Sequence, residues 1–363
     1  MPAVAAFTDT YLPTVNGVSY TLSTWRTYWR RRGHRMDVVY PKAAGHLPAD
    51  GEVPVRSLPF PFYEGFRLGL PVIPEAVRDV ELVHVHTPFT LGVAGLRLAR
   101  RADLPCLASY HTPTAEYADY IAPTDRFAAT LRRVSEGWER AFFGQVDRVL
   151  VPSGITRAQL VQEVGIDTPV EVLPNGVDIE HFRPVDPATF RANHDLEDTI
   201  IVGYTGRHGY EKCLDELLEA AAGLDVTVVL GGDGPAREAL EARAPADNVR
   251  FLGFLDREEL PAFYSAMDVF AFPSPVETQG LVALEAMACG TPVVGVNQGA
   301  LAETIDDGVT GYHYEAGDID GFRGRIRQAL DERDRLRDHC LEKREEMSVE
   351  ATLDRLDEIY RSI

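Results

Sequence analysis

Short apolar segments rich in β-branched residues alternate with helical patterns along the whole chain. An alternation of strand and helix favours a parallel sheet covered by helices on both faces. Because the alternation occurs in both halves, we expect an α/β fold with two Rossmann-like, doubly wound domains. The predicted strands are Ala3–Phe7, Met36–Tyr40, Leu82–His86, Leu104–Tyr110, Arg148–Pro152, Val170–Leu173, Ile200–Tyr204, Thr227–Leu230, Val249–Leu252, Val269–Phe272 and Pro292–Val296.

The length of 363 residues also suits two domains with separate cores. The segment Asn175–Asn193 is rich in proline and polar residues and is the natural linker. We therefore place an N-terminal domain at 1–180, a C-terminal domain at 181–345 and a final segment at 346–363. Apolar residues at helical spacing in that segment predict an amphipathic helix.

The charge is strongly acidic and unevenly distributed. The net charge is −20, and only three of the 36 basic residues are lysines, which suggests a high-salt cytoplasm such as that of a halophilic archaeon. Residues 1–180 hold 18 basic and 20 acidic residues, so residues 181–363 hold 36 − 18 = 18 basic and 56 − 20 = 36 acidic ones. Since neither half is basic, nucleic acid is not an expected partner.

The remaining composition indicates a cytoplasmic protein. No apolar run reaches the roughly 18 residues of a membrane span. The N-terminus lacks a basic region and reads as a first strand rather than a signal peptide. The cysteines Cys106, Cys213, Cys289 and Cys340 have no ligand-like spacing, so we expect free thiols in a reducing compartment.

The most informative local pattern runs from Glu277 to Glu285. Prolines end the preceding strand, and Gly280 opens an apolar, helix-forming run between the two glutamates. The backbone N–H groups around Gly280 and Leu281 should then be unpaired at a helix N-terminus, which attracts phosphate. A carboxylate on each side of an anion site suits a nucleotide sugar, which carries hydroxyls on both sides of a diphosphate. The alternative is a loop glutamate and a solvated helix glutamate.

A second pattern supplies positive charge. The strand Ile200–Tyr204 leads into a loop with Gly206, Arg207 and Lys212, and then into a helix. Two cations five residues apart could neutralise a diphosphate. The alternative is a surface ion-pair set formed with Glu211 and Asp215.

These patterns resemble the retaining family 4 glycosyltransferases. Glu277 to Glu285 is similar to their E-x7-E element, and Gly206-Arg207 with Lys212 is similar to their diphosphate-binding loop. Six further segments occur in family order, and together with these two they span nearly the whole chain. They are Asn16-Gly17-Val18, Val83–Phe89, Ser109–Thr112, Pro174–Asp178, Leu230–Pro235 and Gly290–Val294. Glu277–Gly280 and Tyr110-His111-Thr112, followed by Tyr117 and Tyr120, resemble most the lipid-directed glucosyl- and mannosyltransferases.

The resemblance implies a GT-B fold, with the donor nucleotide sugar on the second domain, the acceptor on the first and the final helix crossing back to the first. It implies that Glu277 contacts the transferred sugar, that Glu285 accepts a hydrogen bond from ribose, and that His111 lies near the anomeric centre. Neither glutamate needs an unusual pKa for this, because an ionised carboxylate simply accepts hydrogen bonds. The catalytic set implied is His111, Arg207, Lys212 and Glu277, and the donor-binding set is Asn16, Gly17, Gly206, Gly280, Leu281 and Glu285.

No cofactor and no metal are expected. The only Asp-x-Asp, Asp318-Ile319-Asp320, lies in a Gly-flanked surface turn. Gly231–Gly234 resembles a dinucleotide fingerprint only loosely, because Pro235 follows directly and the second half of that motif is missing. Fixed cations at Arg207 and Lys212 can take the place of a metal ion beside the leaving diphosphate.

The expected partners are a UDP- or GDP-hexose and a lipid or glycan acceptor. The aromatic cluster Phe60, Phe62 and Phe66 lies among prolines and glycines, where we expect an irregular, exposed loop that touches acceptor and membrane. Arginines occur nearby at Arg26, Arg30, Arg31, Arg32 and Arg35. A second set, Arg126, Arg132, Arg133 and Arg140, lies beside a helical stripe of Phe127, Leu131, Val134 and Trp138. They suit peripheral contact with an anionic membrane. The alternative to membrane contact is a buried inter-loop aromatic cluster with solvated helix faces. The alternatives for the function are a soluble sugar acceptor and a catalytically silent nucleotide-sugar-binding subunit.

Overall fold

The computed structural model of the protein describes residues 2–60, 66–111, 125–244 and 248–363, with the backbone alone at 125–128. The chain divides into two compact units: Met1–Asn175 with Val349–Ile363, and Gly176–Ser348. The sequence analysis puts the changes after residues 180 and 345, whereas the contacts put them after Asn175 and Ser348. Across the described ranges, no helix combines the length and the apolar character needed to cross a bilayer.

The first unit is built on a seven-stranded sheet in the order β3-β2-β1-β6-β7-β8-β9, with all neighbours parallel. Its central strands are apolar on both faces, as expected for a sheet covered by helices on both sides. In β1, Ala5 and Phe7 pack into one core and Val4 and Ala6 into the other. The strands of this unit are β1 (Val4–Phe7), β2 (Met36–Pro41), β3 (Glu52–Val55), β4 (Ser57–Pro59), β5 (Arg67–Gly69), β6 (Leu82–Val85), β7 (Cys106–Ser109), β8 (Arg148–Val151) and β9 (Val170–Val172).

Helices cover this sheet between the strands. They are α1 (Gly17–Arg31), α2 (Thr90–Ala102), α3 (Asp125–Phe143) and α4 (Gly154–Gln159), which continues as one π-helical turn at Leu160–Val164, and there is a 3-10 turn at Glu75–Val77. Helix α2 begins beside a buried carboxylate: Asp9 accepts hydrogen bonds from the Thr87 and Thr90 hydroxyls and from the Leu91 N–H. The carboxylate thus supplies a hydrogen-bond acceptor for a backbone N–H group at the start of the helix.

The second unit repeats the architecture with a parallel six-stranded sheet in the order β12-β11-β10-β13-β14-β15. Its strands are β10 (Ile201–Thr205), β11 (Thr227–Gly231), β12 (Val249–Gly253), β13 (Val269–Phe272), β14 (Val293–Val296) and β15 (Gly311–Tyr314). Its helices are α5 (Ala188–Asn193), α6 (Leu214–Ala221), α7 (Arg237–Arg243), α8 (Leu260–Ala266), α9 (Leu281–Ala288), α10 (Leu301–Thr304), α11 (Ile319–Asp331) and α12 (Arg333–Glu342), with 3-10 turns at Tyr210–Lys212 and Arg257–Glu259. The strand order reverses between β10 and β13, and ligands of such sheets bind at the carboxyl ends of the strands there.

The final helix, α13 (Val349–Arg361), packs on the first unit, as expected. Its apolar stripe joins the core formed with α1: the rings of Trp29 and Tyr360 lie 5.4 Å apart, edge to face. Tyr360 Oη lies 2.7 Å from Nδ1 of His84 on β6, and Arg32 pairs with Asp354 at 2.7 Å. The helix is thus held by apolar packing, by one buried polar contact with the sheet and by an exposed ion pair with Arg32.

The expectation of an irregular, exposed loop around the aromatic cluster is wrong where the structure describes it. Strands β4 and β5 form an antiparallel hairpin, and the Phe60 N–H donates to the Phe66 carbonyl at 2.9 Å. Phe60 and Phe66 are half-buried and pack edge to face at 5.9 Å, while Phe66 also meets Phe89 at 6.0 Å. Phe62 lies outside the described residues. Their contact with acceptor and membrane stays a prediction.

Candidate active site

Two residues assigned to catalysis from the sequence are in direct contact. Lys212 ends the 3-10 turn after β10, and Glu277 lies in the loop between β13 and α9. Because β10 and β13 are parallel neighbours, both loops leave the same edge of the sheet. The Lys212 Nζ lies 2.5 Å from Glu277 Oε1, with only 18% and 16% of the two side chains exposed. Partial burial strengthens the attraction relative to open surface.

The loop that carries the cations rests on the neighbouring glycine loop. Gly206 has a φ of +144° and Gly232 a φ of +103°. A Cβ at Gly232 would lie 1.9 Å from the Gly206 carbonyl oxygen, so only glycine fits there. The His208 N–H donates to the Asp233 carbonyl at 2.9 Å. The segment Gly231–Gly234 therefore supports the cation loop.

Arg207 lies in the same loop, with 38% of its side chain exposed. Its guanidinium is 3.6 Å from a Glu211 carboxylate oxygen. The alternative ion-pair set forms only in part, because Asp215 pairs with Arg243 at 2.8 Å and Lys212 pairs with Glu277. The two cations therefore have different partners, and Arg207 is the more accessible one.

The helix N-terminus expected near Gly280 is present. Gly280 is in the left-handed conformation, with φ +79°, and α9 starts at Leu281. A Cβ on Gly280 would lie 2.7 Å from Leu301. Within the described part of the chain, no acceptor lies in hydrogen-bond range of the Leu281 and Val282 N–H groups. This helix start therefore offers free donors near the Glu277 loop.

Glu285 lies on α9, one turn beyond Leu281, and is bound by a buried tyrosine. The Tyr264 hydroxyl on α8 donates to Glu285 Oε2 at 2.7 Å. Burial raises the pKa of Glu285 to about 7, against smaller opposing effects of the Tyr264 hydrogen bond and the Arg257 charge. The proposed ribose contact does not need an unusual pKa of Glu285, yet burial gives this carboxyl one.

Two tyrosines at this site were missed by sequence reasoning. Tyr264 positions Glu285, and Tyr204 on β10 lies beside the cation loop, where its Oη donates to the Arg207 carbonyl at 3.5 Å. Burial, with the nearby charges of Glu277 and Glu211, raises the pKa of Tyr204 well above its usual value. The apolar runs that contain these tyrosines read as core, and no sequence signal separates them from ordinary core residues.

His111 belongs to the first unit and follows β7. Its Nε2 lies 3.0 Å from His86 Nδ1, and the two rings stack at 5.3 Å. Burial lowers the pKa of His111 to about 4, so this imidazole is neutral near pH 7. The sequence analysis did not assign His86 to the site. The signal was its place directly after β6, since β6 pairs in parallel with β7, which leads to His111.

Asn16 and Gly17 also lie in the first unit, at the start of α1. Asn16 caps the helix, since its Oδ1 accepts from the Ser19 N–H at 2.9 Å and its Nδ2 donates to Thr10 Oγ1 at 2.7 Å. Asn16 therefore has a structural role as the helix cap, and its contact with a donor diphosphate stays a prediction.

The Asp-x-Asp segment is used by the fold. Asp318 caps α11 by accepting from the Gly321 N–H at 2.9 Å, and Asp320 pairs with Arg323 at 2.5 Å. Both carboxylates are thus committed to local contacts of α11.

The architecture matches solved structures along its entire length. Sucrose-phosphate synthase from Thermosynechococcus elongatus superposes with a TM-score of 0.81 at 23% identity, covering 100% of this chain and 99% of that one. At this identity the match defines the fold alone: the chain has the GT-B fold.

Sequence comparison gives the family. Residues 15–181 match the model for Glycosyltransferase Family 4, and residues 186–352 match the model for Glycosyl transferases group 1. Alpha-monoglucosyldiacylglycerol synthase of Streptococcus pneumoniae is 30% identical, over 98% of this chain and 85% of its own length. The GDP-mannose-dependent alpha-mannosyltransferase of Mycobacterium tuberculosis is 33% identical, over 87% and 85%. The chain belongs to the family 4 glycosyltransferases.

Proposed function

We propose that the protein transfers a hexose from a UDP- or GDP-hexose to a hydroxyl of a membrane lipid or a polyprenyl-linked glycan, with retention of the anomeric configuration and without a metal ion. The contact between Lys212 and Glu277 is the observation that carries this proposal. It unites at one sheet edge a cation for the diphosphate and a carboxylate for the sugar hydroxyls.

The charges at this edge suit a departing diphosphate. Negative charge grows on the diphosphate as the anomeric bond breaks, and donors fixed in advance stabilise it most. Lys212, Arg207 and the free N–H groups of Leu281 and Val282 supply such donors. Because these donors can carry the charge themselves, we expect turnover in the presence of a chelator.

Glu277 and Glu285 would divide the recognition of the donor between them. Glu277 accepts hydrogen bonds from hydroxyls of the transferred sugar, and Glu285, held by Tyr264, accepts one from the ribose. His111, neutral and held by His86, contributes a hydrogen bond near the anomeric carbon. Asn16, Gly17 and Gly206 complete the proposed donor set.

The proposal of a lipid acceptor is based on similar proteins. The Streptococcus pneumoniae relative, which spans nearly all of this chain, is a monoglucosyldiacylglycerol synthase. We accordingly propose a cytoplasmic protein that works as a peripheral protein at the inner face of the membrane, with Phe60, Phe62 and Phe66 on its acceptor side.

The test is a screen of purified protein with UDP- and GDP-hexoses against diacylglycerol, glycosylated lipid and soluble sugars, with and without chelator. Product mass identifies donor and acceptor, and proton NMR of the anomeric centre reports retention. Transfer to lipid with an α-linked product from an α-linked donor supports the proposal. Transfer confined to soluble sugars would show that the acceptor is a soluble sugar rather than a lipid. Nucleotide binding without turnover would identify a silent binding subunit.

A further inference from the structure

A basic groove of about 490 Å³ lies on the first unit, between the end of β2 and the β4–β5 hairpin. Lys42, Arg56 and Arg67 line it together with Ser57, Leu58 and Leu70. Two backbone contacts hold its walls: the Lys42 N–H donates to the Val55 carbonyl at 2.8 Å, and the Leu70 N–H to the Arg56 carbonyl at 2.7 Å. Neither the proposed donor set nor the acceptor cluster includes these residues.

The groove concentrates positive charge without counter-charge. As the described residues form it, its lining contains no aspartate or glutamate, and none of its three cations has an ion pair. That composition is unusual in a chain of net charge −20 with only three lysines. The arginines in and directly after α1 differ: Arg26 pairs with Glu52 at 3.4 Å and Arg32 with Asp354 at 2.7 Å. Arg26 and Arg32, which the sequence suggested for lipid contact, are thus neutralised, whereas the groove cations are not.

Arg67 is held ready for an anion. Its Nε donates to Ser57 Oγ at 2.8 Å and to the Lys42 carbonyl at 3.1 Å, and its Nη2 donates to the Ser57 carbonyl at 3.2 Å. All of these acceptors are neutral, so the guanidinium is oriented and its charge stays uncompensated. A guanidinium fixed in this way loses little conformational entropy on binding phosphate.

The rim adds an apolar component. Among the residues that line the groove with the cations, Leu58 is 64% exposed and Leu70 40%. A free phosphate would use only the cations, whereas a phospholipid offers a phosphate for the groove and acyl chains for the rim. We propose that this groove binds the phosphate headgroup of an anionic phospholipid and so docks the first unit on a membrane surface. The inference deepens the proposed function, since it rests on the protein working at a membrane.

The experiment measures binding of the full chain to phosphatidylglycerol vesicles and to phosphatidylcholine vesicles, by co-sedimentation at low and at high salt. The variant is Lys42→Gln with Arg56→Gln, because both side chains are exposed and neither makes a structural contact. At about 1 kcal/mol per basic residue near an anionic surface, the pair should lower affinity for phosphatidylglycerol about thirtyfold at low salt. Binding to phosphatidylcholine should be weak for both proteins.

The matched control is Arg97→Gln with Arg101→Gln on α2, two exposed arginines that also lack ion pairs in the described part of the chain. It changes the net charge equally and should keep wild-type binding. Equal losses of vesicle affinity in both double variants would mean that only net charge matters, and would overturn the assignment of the groove as a lipid site. Equal wild-type binding to both kinds of vesicle, or an unchanged Lys42/Arg56 variant, would overturn it as well.

A calorimetric titration with inorganic phosphate separates the two sources of the ligand. Saturable phosphate binding without vesicle binding would make the groove a site for a soluble anion and overturn the lipid assignment. Glycosyl transfer to detergent-dispersed lipid does not need docking, so it should survive in the Lys42/Arg56 variant. A result that contradicts lipid binding in the groove is thereby distinguished from one that contradicts the proposed glycosyl transfer.

Discussion

The Lys212 ammonium and the Glu277 carboxylate, 65 residues apart in sequence, form a half-buried ion pair at 2.5 Å. Each group neutralises the other in this state, so neither is left as an uncompensated buried charge. A diphosphate that binds here brings a competing negative charge to Lys212. We expect the ammonium to be shared between carboxylate and diphosphate, with Glu277 then turned towards the sugar.

Replacing Glu277 by Gln should lower kcat by about 100-fold or more, with a smaller effect on donor affinity, because its contact lies at the reacting sugar. The matched control is Glu238→Gln, an exposed glutamate on α7. Steady-state kinetics with varied donor separate the two parameters. A variant whose kcat equals that of the wild type would show that Glu277 serves only to hold Lys212.

Glu285 should make nucleotide affinity depend on pH near neutrality. Its pKa is about 7 without ligand, and the ionised carboxylate is the stronger acceptor for the ribose hydroxyl. Affinity for the nucleoside diphosphate should therefore rise as pH increases from 6 to 8. Calorimetry on wild type and on Glu285→Gln isolates this effect, because titration of the nucleotide itself is common to both. If nucleotide affinity depended on pH in the same way in both proteins, Glu285 would not be the acceptor of the ribose hydroxyl.

The same group has the opposite effect on folding. Its pKa is higher in the folded chain than the 4.5 of an unperturbed glutamate, so the folded state binds more protons between these values. The contribution of Glu285 to stability is therefore present below about pH 4.5 and is lost as pH rises towards 7. Chemical denaturation of wild type should show a loss over this interval that Glu285→Gln lacks.

Tyr264→Phe removes the hydroxyl that donates to Glu285. Since that hydrogen bond lowers the pKa of Glu285, its loss should raise the pKa further and move the rise in nucleotide affinity to higher pH. Tyr40→Phe is a control, because Tyr40 is equally buried in the first unit and its hydroxyl plays no part in the site. An unshifted profile in Tyr264→Phe would show that the tyrosine does not position the carboxylate.

Sequence patterns were sufficient for the architecture, whereas the catalytic roles of the residues in the second unit stay predictions. Both sheets follow from apolar runs such as Val269–Phe272 that are buried on both faces. The edge strands β3 and β15 were missed because Pro54 and His313 interrupt the expected apolar run. The β4–β5 hairpin was missed because each strand has three residues.

The contacts of the site could not be predicted in the same way. That Lys212 meets Glu277 depends on β10 lying beside β13, a strand order that no local pattern encodes. The Tyr264–Glu285 bond likewise depends on how α8 packs against α9. The ion pair of Arg32, directly after α1, depends on a carboxylate from a distant segment, Asp354 on α13.

The closest test of the central claim is single-turnover glycosyl transfer by Lys212→Ala, compared with wild type and with Lys343→Ala, which removes another of the three lysines. Loss of a fixed donor to a developing charge should slow transfer by about 100- to 1,000-fold while the protein stays folded. Lys343→Ala, whose ammonium pairs with Asp306 away from the site, should transfer at the wild-type rate. Wild-type transfer by a folded Lys212→Ala variant would contradict the account.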